Sequence, residues 1–125
     1  MVRSVSVARM SIKNEIGNKG ELQAVNFLFA NGYQVLERNY RFGRSEIDII
    51  AKKDNILIFV EVKARKNTDY GHPETFVSEA QKERIFRAAE EYINQKAWRG
   101  PVRFDIIAII WDSNPQLIDH FEDAF

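Results

Sequence analysis

The chain has 125 residues, enough for one hydrophobic core and too few for two ordinary domains. At 45% apolar and 29% charged residues it has the composition of a globular protein, and it carries no apolar run of membrane-spanning length. A net charge of zero excludes a uniformly basic nucleic-acid coat, and the absence of cysteine excludes a disulfide framework and a thiolate metal site.

Residues 1–12 read as a flexible N-terminal arm and 13–125 as a single domain. The first residues scatter Arg among small and apolar side chains without a continuous apolar stretch, so no signal peptide is expected and the expected location is cytoplasmic. A helix follows, ending near Asn31, with an apolar stripe of Leu22, Val25, Leu28 and Phe29 and with Gly32 as its stop. Tyr33 to Asn39 reads as a first strand and Ile47 to Ala51 as a second. Lys53-Asp54-Asn55 is a tight turn into a long third strand over 56–65, giving an antiparallel hairpin.

Residues 66–77 contain Asn67, Asp69, Gly71, His72 and Pro73 and read as a loop. Ser78 followed by Gln81 is a capping-box start, and the helix it opens runs to about Lys96 with a stripe of Ile85, Phe86, Ala89, Tyr92 and Ile93. Gly100-Pro101 precedes a fourth strand, Val102 to Trp111, and Asn114-Pro115 turns into a short last one, Gln116 to His120. The order is αβββαββ. The helix between the third and fourth strands makes them parallel neighbours, so the fold class is α/β with a mixed central sheet and a helix on each side.

The third strand carries the chemistry. Its sequence I-L-I-F-V-E-V-K-A is apolar on both alternating faces until Glu61 and Lys63. A strand of that kind is covered on both sides, where charges need a partner or a task. Asp48 lies in the hairpin's other strand and comes near Glu61 at the same end of the sheet. Two buried carboxylates repel, and a hard divalent cation removes the repulsion by taking oxygen from both. With oxygen donors only, Mg²⁺ or Mn²⁺ is the expected ion, and the backbone carbonyl of Val62 is a further candidate ligand. Lys63 would position or deprotonate a water, or stabilise charge building on a phosphate. The alternative for the three is a cross-strand salt bridge on a solvated hairpin.

Glu21 falls on the first helix's stripe beside Gly17 and Gly20. It reads either as a carboxylate reaching the ion, directly or through water, or as the partner of Asn18 in a helix cap. Lys82, a cation in the first turn of the second helix, opposes the helix dipole and so favours a phosphate-binding role. Gln81 is better explained as a cap partner. From Arg38 to Lys66, Lys and Arg outnumber Asp and Glu, and Arg41, Arg44 and Arg65 are candidates for the nucleic-acid backbone. Arg103 and Asp105 alternate with apolar neighbours and read as a structural ion pair, and His72 as surface.

At these residues the chain becomes recognisable. G-N-K-G-E-L-Q-A-V-N-F-L, E-R-N-Y-R, S-E-I-D-I-I, I-F-V-E-V-K-A-R, R-F-D-I-I and D-H-F-E-D-A-F, in that order, resemble the YraN-type family of small bacterial proteins. That family in turn resembles the PD-(D/E)XK nucleases, nearest to archaeal Holliday-junction resolvases. The resemblance implies a restriction-endonuclease-like αβββαβ core and metal-dependent hydrolysis of DNA phosphodiester bonds, on branched or flap structures. It places Glu21, Asp48, Glu61 and Lys63 on motif positions and matches Asn39, Tyr40 and Arg41 to the family's N-Y-R, where Arg41 reads as a phosphate contact or a hydrogen-bonded strand end and Asn39 as the strand end. Because related resolvases cut a four-way junction as dimers, it also implies a homodimer, although no self-complementary surface is legible. Ser45 stands where relatives have Gly, which leaves open how the chain bends there. The competing expectation is a nucleic-acid-binding module of the same fold that does not cut, and a third is an interaction protein whose charges form an ion-pair network.

Overall fold

The computed structural model describes residues 12–66, 76–112 and 117–125, with side chains from residue 19 onward. The elements are α1 (Ile12–Ala30), β1 (Gln34–Phe42), β2 (Ser45–Lys53), β3 (Ile56–Arg65), α2 (Glu79–Lys96), β4 (Val102–Ile110) and β5 (Leu117–Phe121). They are the αβββαββ order read from the sequence. The arm assigned to 1–12 lies outside the described residues except for Ile12, as do His72 and the Asn114-Pro115 turn.

The five strands form one sheet in the order β1-β2-β3-β4-β5. Pairing is antiparallel except between β3 and β4, which run parallel from Leu57↔Val102 to Arg65↔Ile110. The β2–β3 turn places Asp54 at φ 52° and Asn55 at φ 63°, the paired positive values that match the twist of a two-residue hairpin. In the β1–β2 turn the positive φ falls on Gly43 (61°), while Ser45 is buried and pairs with Phe42. Ser45 therefore stands where no glycine is required.

Each face of the sheet is covered by one helix, which buries two apolar layers. On one side Ala24 and Leu28 of α1 meet Ile49, Ala51, Ile58, Val60, Ile107 and Ile109. On the other, Ile85, Ala88, Ala89 and Tyr92 of α2 meet Ile50, Leu57, Phe59, Ile106 and Ala108. The α1 stripe holds at Leu28, which is fully buried, and at Val25, which packs beside it, but Leu22 is 50% and Phe29 77% exposed, and the fully buried Ala24 was not expected in it. Small residues bring this helix close to the sheet, and a Cβ at Gly20 would already touch Ala64 and Ile109 at 3.7 Å. Phe86, expected in the α2 stripe, is 41% exposed yet packs edge-on against Phe104.

Both helix ends follow their local chemistry. The Gly32 N–H reaches Phe29 O, the Tyr33 N–H reaches Leu28 O, and Gly32 takes φ 87°, the left-handed stop expected of a glycine. Ser78 caps α2 by accepting the Gln81 N–H at 3.2 Å.

Candidate functional site: an acidic cleft where two strands part

The site follows from a break in pairing. The β2–β3 ladder ends at Ile49↔Val60, yet β2 continues back to Ser45 on β1 and β3 continues on β4. The two strands therefore part at one end of the sheet, and the gap opens beside Asp48 and Glu61. At the same point the inside–outside alternation of β2 slips, for Ile47 and Ile50 both belong to the α2-side layer while Ile49 faces α1.

Asp48 spans this gap. Its Oδ2 accepts the Val62 N–H at 2.8 Å, replacing the main-chain acceptor that the ladder no longer supplies. A strand residue's N–H and C=O leave on the same edge, so the Val62 carbonyl faces the gap as well. The Asp48 carboxyl is pushed up to about 9, first by burial and then by the Glu61 carboxylate, with Glu21 adding to the effect and the Val62 N–H opposing it. Asp48 and Glu61 are thus near neighbours, as the sequence reading required.

Glu61, only 8% exposed, is held by two neighbours. Its Oε2 lies 3.0 Å from Lys63 Nζ and accepts from Gln81 Nε2 at 2.5 Å. Lys63 in turn donates to Gln81 Oε1 at 3.3 Å. Gln81 therefore clasps both charges with its amide while its main-chain N–H is taken by Ser78. The expected cap role belongs only to its backbone, and the side chain is a site residue that the sequence reading missed.

Glu21 enters from the opposite face. α1 begins at Ile12, so Asn18 does not start the helix and the capping explanation of Glu21 fails. The Glu21 carboxyl is raised by burial and by Glu46, while Arg38 and a side-chain hydrogen bond from Asn39 pull it down. Its Oε1 is the buried side-chain oxygen without a partner among the described residues. Asn39, read from the sequence as a hydrogen-bonded strand end, is the second residue which that reading left outside the site. It stands in β1 between the pairs Arg38↔Ile49 and Tyr40↔Ile47, hence across from Asp48, with φ at 52°. A positive φ outside glycine is uncommon and marks a backbone held by its surroundings. The N-P-G-type turn signals that betray such values in loops do not exist inside a strand.

The remaining candidates are dispersed. Arg41 pairs with Glu46 at 3.3 Å on the surface. Lys82 pairs with Glu79 at 3.2 Å, one turn away on its own helix. Arg65 donates to the Ala64 carbonyl at 3.1 Å and lies over the Phe76 ring at 5.4 Å. Arg44 lines a separate cavity beside α2.

The donor set is of a kind that a hard divalent cation accepts. It is all oxygen, it includes an unsatisfied buried carboxylate oxygen, and its acids repel one another, which suits a hard ion. Among the described residues no group of three His, Cys, Asp or Glu is gathered tightly enough to enclose an ion unaided. Mg²⁺ in general keeps several waters and takes one or two carboxylates, so an all-protein cage is not a requirement for it.

The fold and this cleft define an α/β protein with a mixed five-stranded sheet, compatible with an αβββαβ core, whose parted strands gather acids around a lysine. Residues 20–109 match the model of a family described as uncharacterised protein family UPF0102. A UPF0102 protein of Flavobacterium psychrophilum is 44% identical over 116 residues, covering 93% of this chain and 98% of its own. One from Christiangramia forsetii is 43% identical over 93% of this chain and 98% of its own. One from Chloroherpeton thalassium is 47% identical over 84% and 82%. The chain belongs to the UPF0102 family, the YraN-type family its motifs resemble. Among the described residues no helix is long and apolar enough to cross a membrane.

Proposed function

We propose that this protein is a metal-dependent endonuclease that hydrolyses DNA phosphodiester bonds, on branched or flap structures. The observation that carries the proposal is the approach of Asp48 and Glu61 in a half-buried gap with Lys63 at 3.0 Å from Glu61. An arrangement that keeps one carboxyl protonated to about 9 destabilises the fold unless the missing positive charge arrives from elsewhere.

Asp48 and Glu61 would hold Mg²⁺ or Mn²⁺ with the Val62 carbonyl, and Glu21 would join directly or through water. When bound, such an ion polarises a phosphate oxygen and lowers the pKa of water. Lys63 carries the positive charge that offsets the extra negative charge of the in-line transition state, or orients the attacking water. Gln81 fixes the rotamers of Glu61 and Lys63 together, so the ammonium and the carboxylate are presented as one unit. Association as a homodimer would supply the paired cuts that a branched substrate requires.

The test is a cleavage panel of single-stranded, duplex, flap and four-way DNA, with Mg²⁺, with Mn²⁺ and with chelator. The expected result is cleavage of at least one structure that needs the metal and disappears in a folded Glu61→Ala variant. Cleavage that survives Glu61→Ala, or no cleavage on any member, overturns the proposal.

A second reading is a nucleic-acid-binding module that keeps the fold without cutting. Its support is that Glu61 already has Lys63 and Gln81 as partners. Titration of Mn²⁺ separates the two: DNA binding with no metal affinity at the carboxylates selects the module.

A further inference from the structure

Beside the acidic cleft lies a cavity of about 460 Å³ between the tip of the β1–β2 hairpin and the first turns of α2. Arg44 enters it from the hairpin, and Arg84 and Arg87 from the helix. Ala80, Glu83, Arg84 and Arg87 recur at helical spacing on one outward face of α2, while Ile85, Ala88 and Ala89 turn inward. Among the described residues none of the three arginines has an ion pair or hydrogen bond, and Glu83 is the one acid in the lining. Unpaired guanidinium groups around a concavity recognise phosphate.

The cavity also has an aromatic wall. Phe42 closes the end of β1, is 45% exposed, and lines the same space. Its neighbour Gly43 has nothing within 4 Å of where a Cβ would stand, so the rim beside the ring is open. Burying Phe42 in either apolar layer would have been favourable, and the chain instead sets it among three cations. A duplex offers phosphates to such a surface but keeps its base faces stacked. An unpaired strand offers both.

We infer that this cavity holds an unpaired nucleic-acid strand, with Arg44, Arg84 and Arg87 on its phosphates and a base stacked on Phe42. The inference rests on the nuclease proposal for its purpose: Ser45 lines the cavity and Asp48 lies three residues on, about 10 Å along the strand. A strand gripped by the arginines would therefore continue into the acidic cleft, and Phe42 would select the single-stranded arm of a flap or branch over continuous duplex.

The test measures fluorescence anisotropy of the 125-residue chain with a labelled single-stranded oligothymidylate and with a duplex of equal length, in chelator so that nothing is cut. Single strand is expected to bind more tightly than duplex. Phe42→Ala should weaken single-strand binding about tenfold, the size of one lost base–aromatic stack, with duplex binding unchanged. Phe42→Trp, which keeps a stacking face, should retain the preference and so exclude a folding defect. Arg84→Ala with Arg87→Ala should weaken both ligands and reduce the salt slope by about one to two. Equal loss on both ligands in Phe42→Ala, no loss on either, or a duplex preference in the parent chain overturns the inference. Failure of the nuclease proposal looks different: the Phe42-dependent preference persists while no substrate is cut in Mg²⁺ or Mn²⁺. Glu61-dependent cleavage that Phe42→Ala leaves unaltered on flap and duplex alike sinks the inference and spares the proposal.

Discussion

Two aspartates sit in neighbouring parts of one sheet and meet opposite fates. Asp105 in β4 is completely buried and completely answered: Arg103 donates to both of its oxygens at 2.8 Å, His120 Nε2 lies 2.7 Å from Oδ2, and the Asp123 N–H reaches Oδ1 at 3.0 Å. Burial alone would raise its carboxyl, but the hydrogen bonds from His120, Arg103 and Asp123 outweigh it and hold the group below the usual range. Asp48 in β2 has one N–H donor, two acidic neighbours, and a carboxyl driven the other way. The chain evidently can satisfy a buried acid. That it does so at Asp105, where the last strand and the C-terminal residues are anchored, and not at Asp48 separates a residue used for stability from one kept at a cost to it.

The largest effect expected from breaking this comparison is at Asp105. Asp105→Ala leaves Arg103 and His120 facing each other without the charge between them and should cost about 3–5 kcal/mol in urea unfolding near neutral pH. A depressed carboxyl contributes stability above its unfolded value, and that contribution is lost as pH falls through the folded value. The gap between parent and variant should therefore narrow below about pH 4. A constant gap across the titration would show that lost packing, not charge, sets the cost.

Asp48→Asn should move stability in the opposite direction. The folded carboxyl keeps its proton to about 9, whereas the unfolded one releases it near 3.8, so between those values unfolding frees a proton and stability falls as pH rises. The amide removes that penalty. The melting temperature near pH 8 should rise by at least about 5 °C, with no gain below the unfolded value. Mn²⁺ should stabilise the parent, by about 2.7 kcal/mol at a hundred times its Kd, and should not stabilise the variant. A variant less stable than the parent at pH 8 contradicts the assignment of Asp48 as a strained acid.

The contrast was only partly legible beforehand. The two-sided apolar run Ile56–Val60 announced a central strand, and Asp54-Asn55 announced its hairpin, because local chemistry dictates both. Glu61 and Lys63 stood out against that run for the same reason. The α1 face was misread because the helix turns small residues, Gly20 and Ala24, to the sheet, and apolar size at Leu22 and Phe29 outweighed them in the periodicity. Gln81 was hidden by its own backbone: a residue three after a capping serine already has an explanation. Asn39 and the Arg44–Arg84–Arg87 cavity come from contacts between distant segments, which no local pattern encodes.

Gln81 sharpens the comparison at its next scale. Gln81→Met keeps the length and removes the clasp on Glu61 and Lys63. Outer partners of metal-holding carboxylates are typically worth 10–100-fold, so Mn²⁺-dependent cleavage should fall by about that factor while stability changes by about 1 kcal/mol or less. Loss of stability without loss of cleavage would make Gln81 a structural bond of the Asp105 kind.

The smallest effect concerns Asn39, and its sign distinguishes strain from shape. At φ 52° the residue sits where a side chain with a Cβ is disfavoured and glycine is not. If the site merely tolerates the conformation, Asn39→Gly relieves it and the protein gains a few tenths of a kcal/mol, while Asn39→Ala loses about 1 kcal/mol. The hydrogen bond to Glu21 adds a second requirement that glycine does not meet. With that bond gone only the Arg38 charge in β1 offsets the burial of the Glu21 carboxyl, one oxygen of which already lacks a partner among the described residues. Thermal melts should therefore rank Asn39→Gly level with or slightly below the parent and Asn39→Ala lowest. Mn²⁺ stabilisation should drop equally in both, because each loses the amide that aims Glu21 into the cleft. A full Mn²⁺ response in Asn39→Gly would mean that Glu21 needs no aiming, and would place it with Asp105 as a buried acid of the framework.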